Sequence, residues 1–135
     1  MDDDAAIAEQ ILRRFRRVAV VGISADASRP SHEVASYLRG AGYEILPVNP
    51  TLPTWEGLPC WPDLRAVPPP VEVVDIFRRS EQAGAVVDEA IAIGARAVWM
   101  QLGVIDTAAA ARARAAGLLV VMDRCMLREH RRLAP

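Results

Sequence analysis

The sequence predicts an α/β domain, a doubly wound sheet of about five parallel strands with helices on both faces. Five short runs rich in Val, Ile and Leu recur along the 135 residues. They are nearly continuous rather than alternating with polar residues, as strands are when both faces of a sheet are covered. Most of the segments between them carry helical period. The composition is 52% hydrophobic but only 5% aromatic, the mix that fills a sheet sandwiched by helices.

The strand runs span residues 18–21, 43–48, 71–77, 97–102 and 118–122. Before the first, Ala8, Ile11, Leu12 and Phe15 form one apolar stripe, with an acidic run from Asp2 to Asp4 at its start. Arg13, Arg14, Arg16 and Arg17 stand at its end, as a helix dipole favours. A second helix is expected after Pro30-Ser31, with Val34, Leu38 and Ala41 facing inward and the Gly40/Gly42 pair stopping it. The clearest period is Ala83, Val86, Val87, Ala90, Ile91 and Gly94, with Ser80 as the expected N-cap. A further helix is expected to be capped by Asp106 and to end at Gly117. Residues 51–70, rich in Pro, read as an irregular connection with at most one short helical turn near residues 63–66. No linker divides the chain, so residues 1–135 are expected to form a single domain.

Charge narrows the partners. Sixteen basic residues face seventeen acidic ones, which leaves no bulk field to recruit nucleic acid or an anionic membrane. All the basic residues are Arg, which removes lysine nucleophiles and keeps flat, bidentate phosphate donors. Cys60 and Cys125 lack the spacing of a zinc site or a disulfide framework, so no metal is expected and a reducing cytoplasm fits. The acidic N-terminus does not read as a leader, and no apolar run approaches the ~20 residues of a membrane span.

Ligands of doubly wound sheets sit beyond the carboxyl ends of the strands. After the first strand, Gly22-Ile23-Ser24 opens a polar loop that runs through Arg29 to Ser31 at a helix start. Gly22 lets backbone approach a ligand, Ser24 and Ser31 offer hydroxyls, Arg29 offers a guanidinium fork, and the helix offers free N–H groups. Ser28 or Ser31 is also expected to cap the helix. The second strand ends in Asn49-Pro50, which reads equally as a turn or as part of a site. A dinucleotide site would put a carboxylate there to grip the ribose, and it would carry Gly where Ser24 and Ala27 stand. Phe77-Arg78-Arg79 sets two cations beside a helix start, an arrangement that favours an anion, with Arg78 the expected contact and a salt bridge to Asp75 the alternative. Gln101, Gly103 and Cys125 lie at the remaining strand ends. Cys125, beside Arg124, reads either as a small core residue or as a reactive thiol. His130, five residues on in a short terminal helix, is poorly spaced for a catalytic pair, and His32 at a helix start reads equally as solvent-facing.

Five segments together carry a family resemblance: Val-Ala-Val-Val-Gly-Ile-Ser at 18–24, Leu-Pro-Val-Asn-Pro at 46–50, Val-Asp-Ile-Phe-Arg-Arg at 74–79, Val-Trp-Met-Gln-Leu-Gly at 98–103 and Met-Asp-Arg-Cys at 122–125. In this order the chain resembles the small stand-alone CoA-binding proteins, which are similar to the CoA-binding domain of the succinyl-CoA synthetase α subunit. The resemblance implies a Rossmann-like sheet with coenzyme A, or an acyl-CoA, on the first strand-to-helix loop. It implies phosphate contact at Gly22 and Ser24, the nucleotide end at Asn49 and Pro50, and a central contact at Phe77 and Arg78. The synthetase's second domain, with its phosphorylated histidine, has no counterpart here, so ligase activity is not implied.

The expected function is therefore a non-catalytic CoA-binding or regulatory protein, cytoplasmic, a monomer or weak homodimer, with a small-molecule nucleotide ligand. Trp55 or Trp61 on an exposed patch would supply a dimer surface or a lid. The alternative is a small nucleotide-cofactor enzyme, either an NAD(P)-dependent oxidoreductase or a thiol-dependent transferase using Cys125, which would also meet the thiol of coenzyme A in a mixed disulfide. No complete catalytic set is visible in the sequence.

Overall fold

Helix α1 (Asp3–Arg14) carries Asp3 and Asp4 in its first turn and Arg13 and Arg14 in its last, so both ends oppose the backbone dipole. The structure, a computed structural model, describes residues 3–133, and Asp2 of the expected acidic run lies outside them. Arg16 and Arg17 do not extend the basic end. Arg16 folds back, donating from Nη1 to the carbonyls of Leu12 and Phe15 at 2.8 and 2.9 Å, which satisfies oxygens that a helix end leaves open. Arg17 already belongs to the first strand.

The strands in chain order are β1 (Arg17–Val21), β2 (Glu44–Val48), β3 (Thr54–Trp55), β4 (Leu58–Pro59), β5 (Val73–Ile76), β6 (Ala97–Met100) and β7 (Leu119–Val121). Five of them form one parallel sheet in the order β2-β1-β5-β6-β7. Several are shorter than their apolar runs because the chain leaves the ladder at the rim to build loops. Phe77 still donates to the Val21 carbonyl at 2.9 Å, but residues beyond it diverge. Because β2 and β5 flank β1 on opposite sides, the strand order reverses at the gap between β1 and β5, where such sheets open a crevice.

Helices α2 (Pro30–Gly40), α3 (Ser80–Ala92), α4 (Thr107–Ala115) and α5 (Met126–Leu133) complete the layers. One face of the sheet holds Ala83, Val87 and Ala90 of α3 with Ala109, Ala110 and Ala113 of α4. Ile11 and Leu12 of α1, Val34 and Leu38 of α2, and Met126 and Leu127 of α5 cover the other. Strand residues alternate between the two, with Ala19 and Val21 on the first and Val18 and Val20 on the second.

Several local expectations are corrected. On α2 the inward position is taken by Ala35, while Ala41 is exposed. Neither Ser28 nor Ser31 caps α2: Arg29 is the N-cap and makes no side-chain cap bond. Ser80 is the first residue of α3 after an Arg79 N-cap. Its hydroxyl serves the β6–α4 loop instead, donating to the Gly103 carbonyl and accepting from the Ile105 N–H. Within residues 51–70 the single turn appears at Leu64–Ala66, capped by Asp63, but β3 and β4 add a hairpin that the Pro content concealed. Trp55 is 2% exposed and Trp61 is half-buried against the core, so neither forms an exposed patch. Among the described residues Leu102 and Ile105 are the exposed large hydrophobic ones. His32 is not solvent-facing either; it is clasped between Ser36 and Glu56, tying the hairpin to α2.

Asp106 caps α4 as expected, its Oδ1 accepting from the Ala109 N–H at 3.0 Å. Asp106→Ala is expected to cost about 1 kcal/mol in urea unfolding, and an unchanged midpoint would show that the cap contributes nothing.

Candidate functional site

The rim above the β1/β5 gap is where the backbone is most constrained. Gly22 has φ +87, and a Cβ built on it would lie 2.3 Å from the Phe77 carbonyl oxygen. Its N–H donates to the Val48 carbonyl at 3.0 Å, so one glycine joins the ends of three adjacent strands. The Arg78 side chain leans over this point, its Nε 3.4 Å from the same Cβ position.

From Gly22 a cleft of about 1110 Å³ opens along the strand ends, at the large end of small-molecule sites. The β1–α2 loop supplies Gly22, Ile23, Ser24, Arg29 and Ser31 to its wall; Asn49, Phe77, Arg78, Gln101 and Cys125 come from the other strand ends. Thus ten of the twelve expected residues converge. Pro50 and Gly103 do not line it. Pro50 is exposed past the bend, and the Gly103 N–H is held by Asp123 Oδ1 at 2.7 Å, which turns that loop outward.

Hydrogen bonds define what each group has left to offer. Ser31 Oγ accepts from the Ser24 N–H at 2.9 Å, and Ser24 Oγ accepts from the Asp26 N–H at 3.0 Å. Both hydroxyls keep their own proton for a ligand. Trp55 Nε1 donates to the Ser24 carbonyl at 2.9 Å, so the hairpin holds the loop from behind. Asn49 is occupied internally, its Nδ2 donating to the Ile23 carbonyl and its Oδ1 accepting from the Thr51 N–H and hydroxyl. Its amide therefore braces the loop. Asp26 sits in this loop, but the Ser28 N–H and hydroxyl bond its carboxylate, and these contacts lower its pKa.

Charge is concentrated where the sequence is neutral on average. Arg29, Arg78, Arg79, Arg128 and Arg131 line the cleft, against Asp26 and Glu33. None of the five arginines is in an ion pair among the described residues; Arg131 instead lies over the Tyr37 ring at 5.4 Å. Arg78 does not pair with Asp75, which is fully buried and bonded to Gln101. Five guanidinium groups against two carboxylates leave an excess of positive charge on this wall, which an anion would relieve. Arg128 and Arg131 were missed in the sequence because α5 follows the last strand, outside the strand-end rule. A short, Arg-rich helix directly after that strand was the available signal.

Cys125 is half-buried on the wall. Cys60 does not line the cleft but sits behind it, its Sγ 3.8 Å from the Asn49 carbonyl oxygen, and burial pushes its thiol pKa up.

The geometry can be compared with known proteins. Residues 16–131 match the CoA binding domain family. The chain belongs to this family of CoA-binding domains. An uncharacterized protein of Bacillus subtilis (strain 168), YneT, is 38% identical over 122 residues, 90% of each chain. A hypothetical protein from Pyrococcus horikoshii OT3 superposes with TM-score 0.91 at 38% identity, covering 96% of this chain and 91% of that one. A dinucleotide-forming acetyl-coenzyme A synthetase from Ca. Korarchaeum cryptofilum superposes with TM-score 0.73 at 25% identity, over 84% of this chain but only 27% of the synthetase. This CoA-binding domain therefore has the α/β Rossmann-like fold. Among the described residues no helix is long and apolar enough to cross a membrane.

Proposed function

We propose that the strand-end cleft binds coenzyme A, free or acylated, and that the protein acts as a non-catalytic binding or regulatory protein. The observation that carries this reading is the ring of five arginines on the cleft wall, Arg29, Arg78, Arg79, Arg128 and Arg131, which outnumber its carboxylates Asp26 and Glu33. Coenzyme A brings a diphosphate and a 3′-phosphate, anions that such a ring needs. The N-terminus of α2 adds the Ser31 N–H and a positive dipole end for the diphosphate, Pro30 having no N–H and those of His32 and Glu33 bonding the Arg29 carbonyl. Gly22 gives the backbone approach, and the Ser24 and Ser31 hydroxyls supply donors. Arg78, half-buried over Gly22, is the proposed contact to the 3′-phosphate. Phe77 and Cys125 contribute apolar wall, and membership of a CoA-binding family supports the ligand class.

Thermal unfolding with coenzyme A, acetyl-CoA, 3′-dephospho-CoA, NAD and NADP separates the readings. A ligand at 100 times its dissociation constant stabilises by about 2.7 kcal/mol. Coenzyme A is expected to stabilise more than 3′-dephospho-CoA at equal concentration, with no shift from NAD. Arg78→Ala is expected to shrink the difference between the first two; an unchanged difference would assign the 3′-phosphate elsewhere. Stabilisation by NAD alone would overturn the proposal in favour of a dinucleotide enzyme.

A further inference from the structure

Behind the cleft lies a polar pair that packing does not account for. Asp75 stands on the central strand β5, in register with Val20 of β1 and Trp99 of β6, and its exposure is 0%. Its Oδ1 accepts from Gln101 Nε2 at 2.8 Å, while Oδ2 has no partner. An orphaned carboxyl oxygen in an apolar core costs stability that a valine would not. Gln101 follows the neighbouring strand and lines the cleft. A side-chain amide presents nitrogen and oxygen in opposite senses, so with Nε2 turned in to Asp75, Oε1 turns outward. Among the described residues Asp75 Oδ2 is the only sealed and unpartnered side-chain oxygen or nitrogen, so Oε1 reaches open space on the cleft side.

We infer that Asp75 is a positioning residue: it holds Gln101 with Nε2 inward, so that Oε1 meets the ligand as a hydrogen-bond acceptor for an amide N–H of the pantetheine arm. The inference rests on the reading of the cleft as a coenzyme A site and deepens it. Asp75 Oδ1 is an acceptor whether or not Oδ2 carries a proton, so it draws the nitrogen of the Gln101 amide inward rather than the oxygen. An outward acceptor repels phosphate oxygens and pairs only with a donor. Around Gln101 the wall carries Leu102, Val104, Cys125 and Leu127, which suits the uncharged arm rather than the phosphates.

Calorimetric titration of the full chain with coenzyme A and with adenosine 3′,5′-bisphosphate, which lacks the arm, tests this. Gln101→Leu and Asp75→Val are each expected to weaken coenzyme A roughly three- to tenfold, the worth of one hydrogen bond. The bisphosphate should bind both variants as it binds the wild type. In the ligand-free protein the Gln101 side-chain amide resonances should move as Asp75 titrates near pH 7 and stay in place in Asp75→Asn. Folded variants that keep full coenzyme A affinity, or that lose both ligands equally, overturn the inference while leaving the cleft reading in place. A wild type that binds neither ligand overturns both.

Discussion

Gly22→Ala should lower the stability of the protein by roughly 3 kcal/mol or more, from backbone strain and overpacking together. Two terms act at one atom. At φ +87 an L side chain is strained whatever the space around it. The added methyl would also sit 2.3 Å from the Phe77 carbonyl oxygen and 3.1 Å from its carbon. Relief requires moving β5 away from β1 at the point where Phe77 N–H bonds the Val21 carbonyl. A melting-temperature loss of roughly 10 °C or more is expected for a domain of this size. Gly42 supplies the control, because it has φ +101 but nothing within 4 Å of a built Cβ. Gly42→Ala should cost only the backbone term, about 1–2 kcal/mol. Equal losses at the two positions would show that the close approach at the β1/β5 gap is not what selects glycine.

Stability should fall as the pH rises from about 4 to about 7, through Asp75. Burial drives this carboxyl up from its ordinary 3.8 to about 7, the bond from Gln101 pulling the other way. Between those values the folded chain keeps a proton that the unfolded chain has released. The stabilisation is complete below the unfolded pKa and is lost as the pH rises through the folded one. Three pKa units correspond to about 4 kcal/mol as an order of magnitude. Glu72 acts in the opposite sense: burial raises its pKa, but bonds from the Arg16 and Arg17 N–H groups outweigh it and leave the pKa lowered. Its contribution is present above the unfolded pKa and lost as the pH falls. The Asp75→Asn difference isolates Asp75, because Glu72 is common to both proteins. Urea midpoints should nearly coincide at pH 4 and favour Asp75→Asn at pH 8. A difference that does not change with pH would mean that Asp75 titrates normally.

The strands, α1–α4 and the cleft along the strand ends were legible because they depend on local pattern. Continuous Val and Ile runs mark strands buried on both sides, and Asp106 three residues before Ala109 marks a cap. The roles within the site were less legible. Ser31 and Asn49 were read as ligand contacts from their place in the chain, yet Ser31 also accepts from the Ser24 N–H, and both ends of the Asn49 amide are used by the β1–α2 loop and Thr51. Part of this is set at a distance, by Ser24 seven residues from Ser31 and Ile23 twenty-six from Asn49, and no local pattern carries that information. The β3–β4 hairpin was hidden for a related reason, since two-residue strands have no period to detect.

Hydrophobic periodicity, helix-end charge and turn residues by themselves determined that this chain forms a parallel sheet between helices, with Gly22, Ser24 and Arg78 at the strand ends. Tertiary structure alone decided that β5 lies beside β1, that Asp75 is sealed behind Gln101, and that Arg128 and Arg131 of α5 join Arg78 across the cleft. Secondary structure follows from interactions within a few residues, whereas desolvation and the meeting of like charges exist only after distant segments have packed.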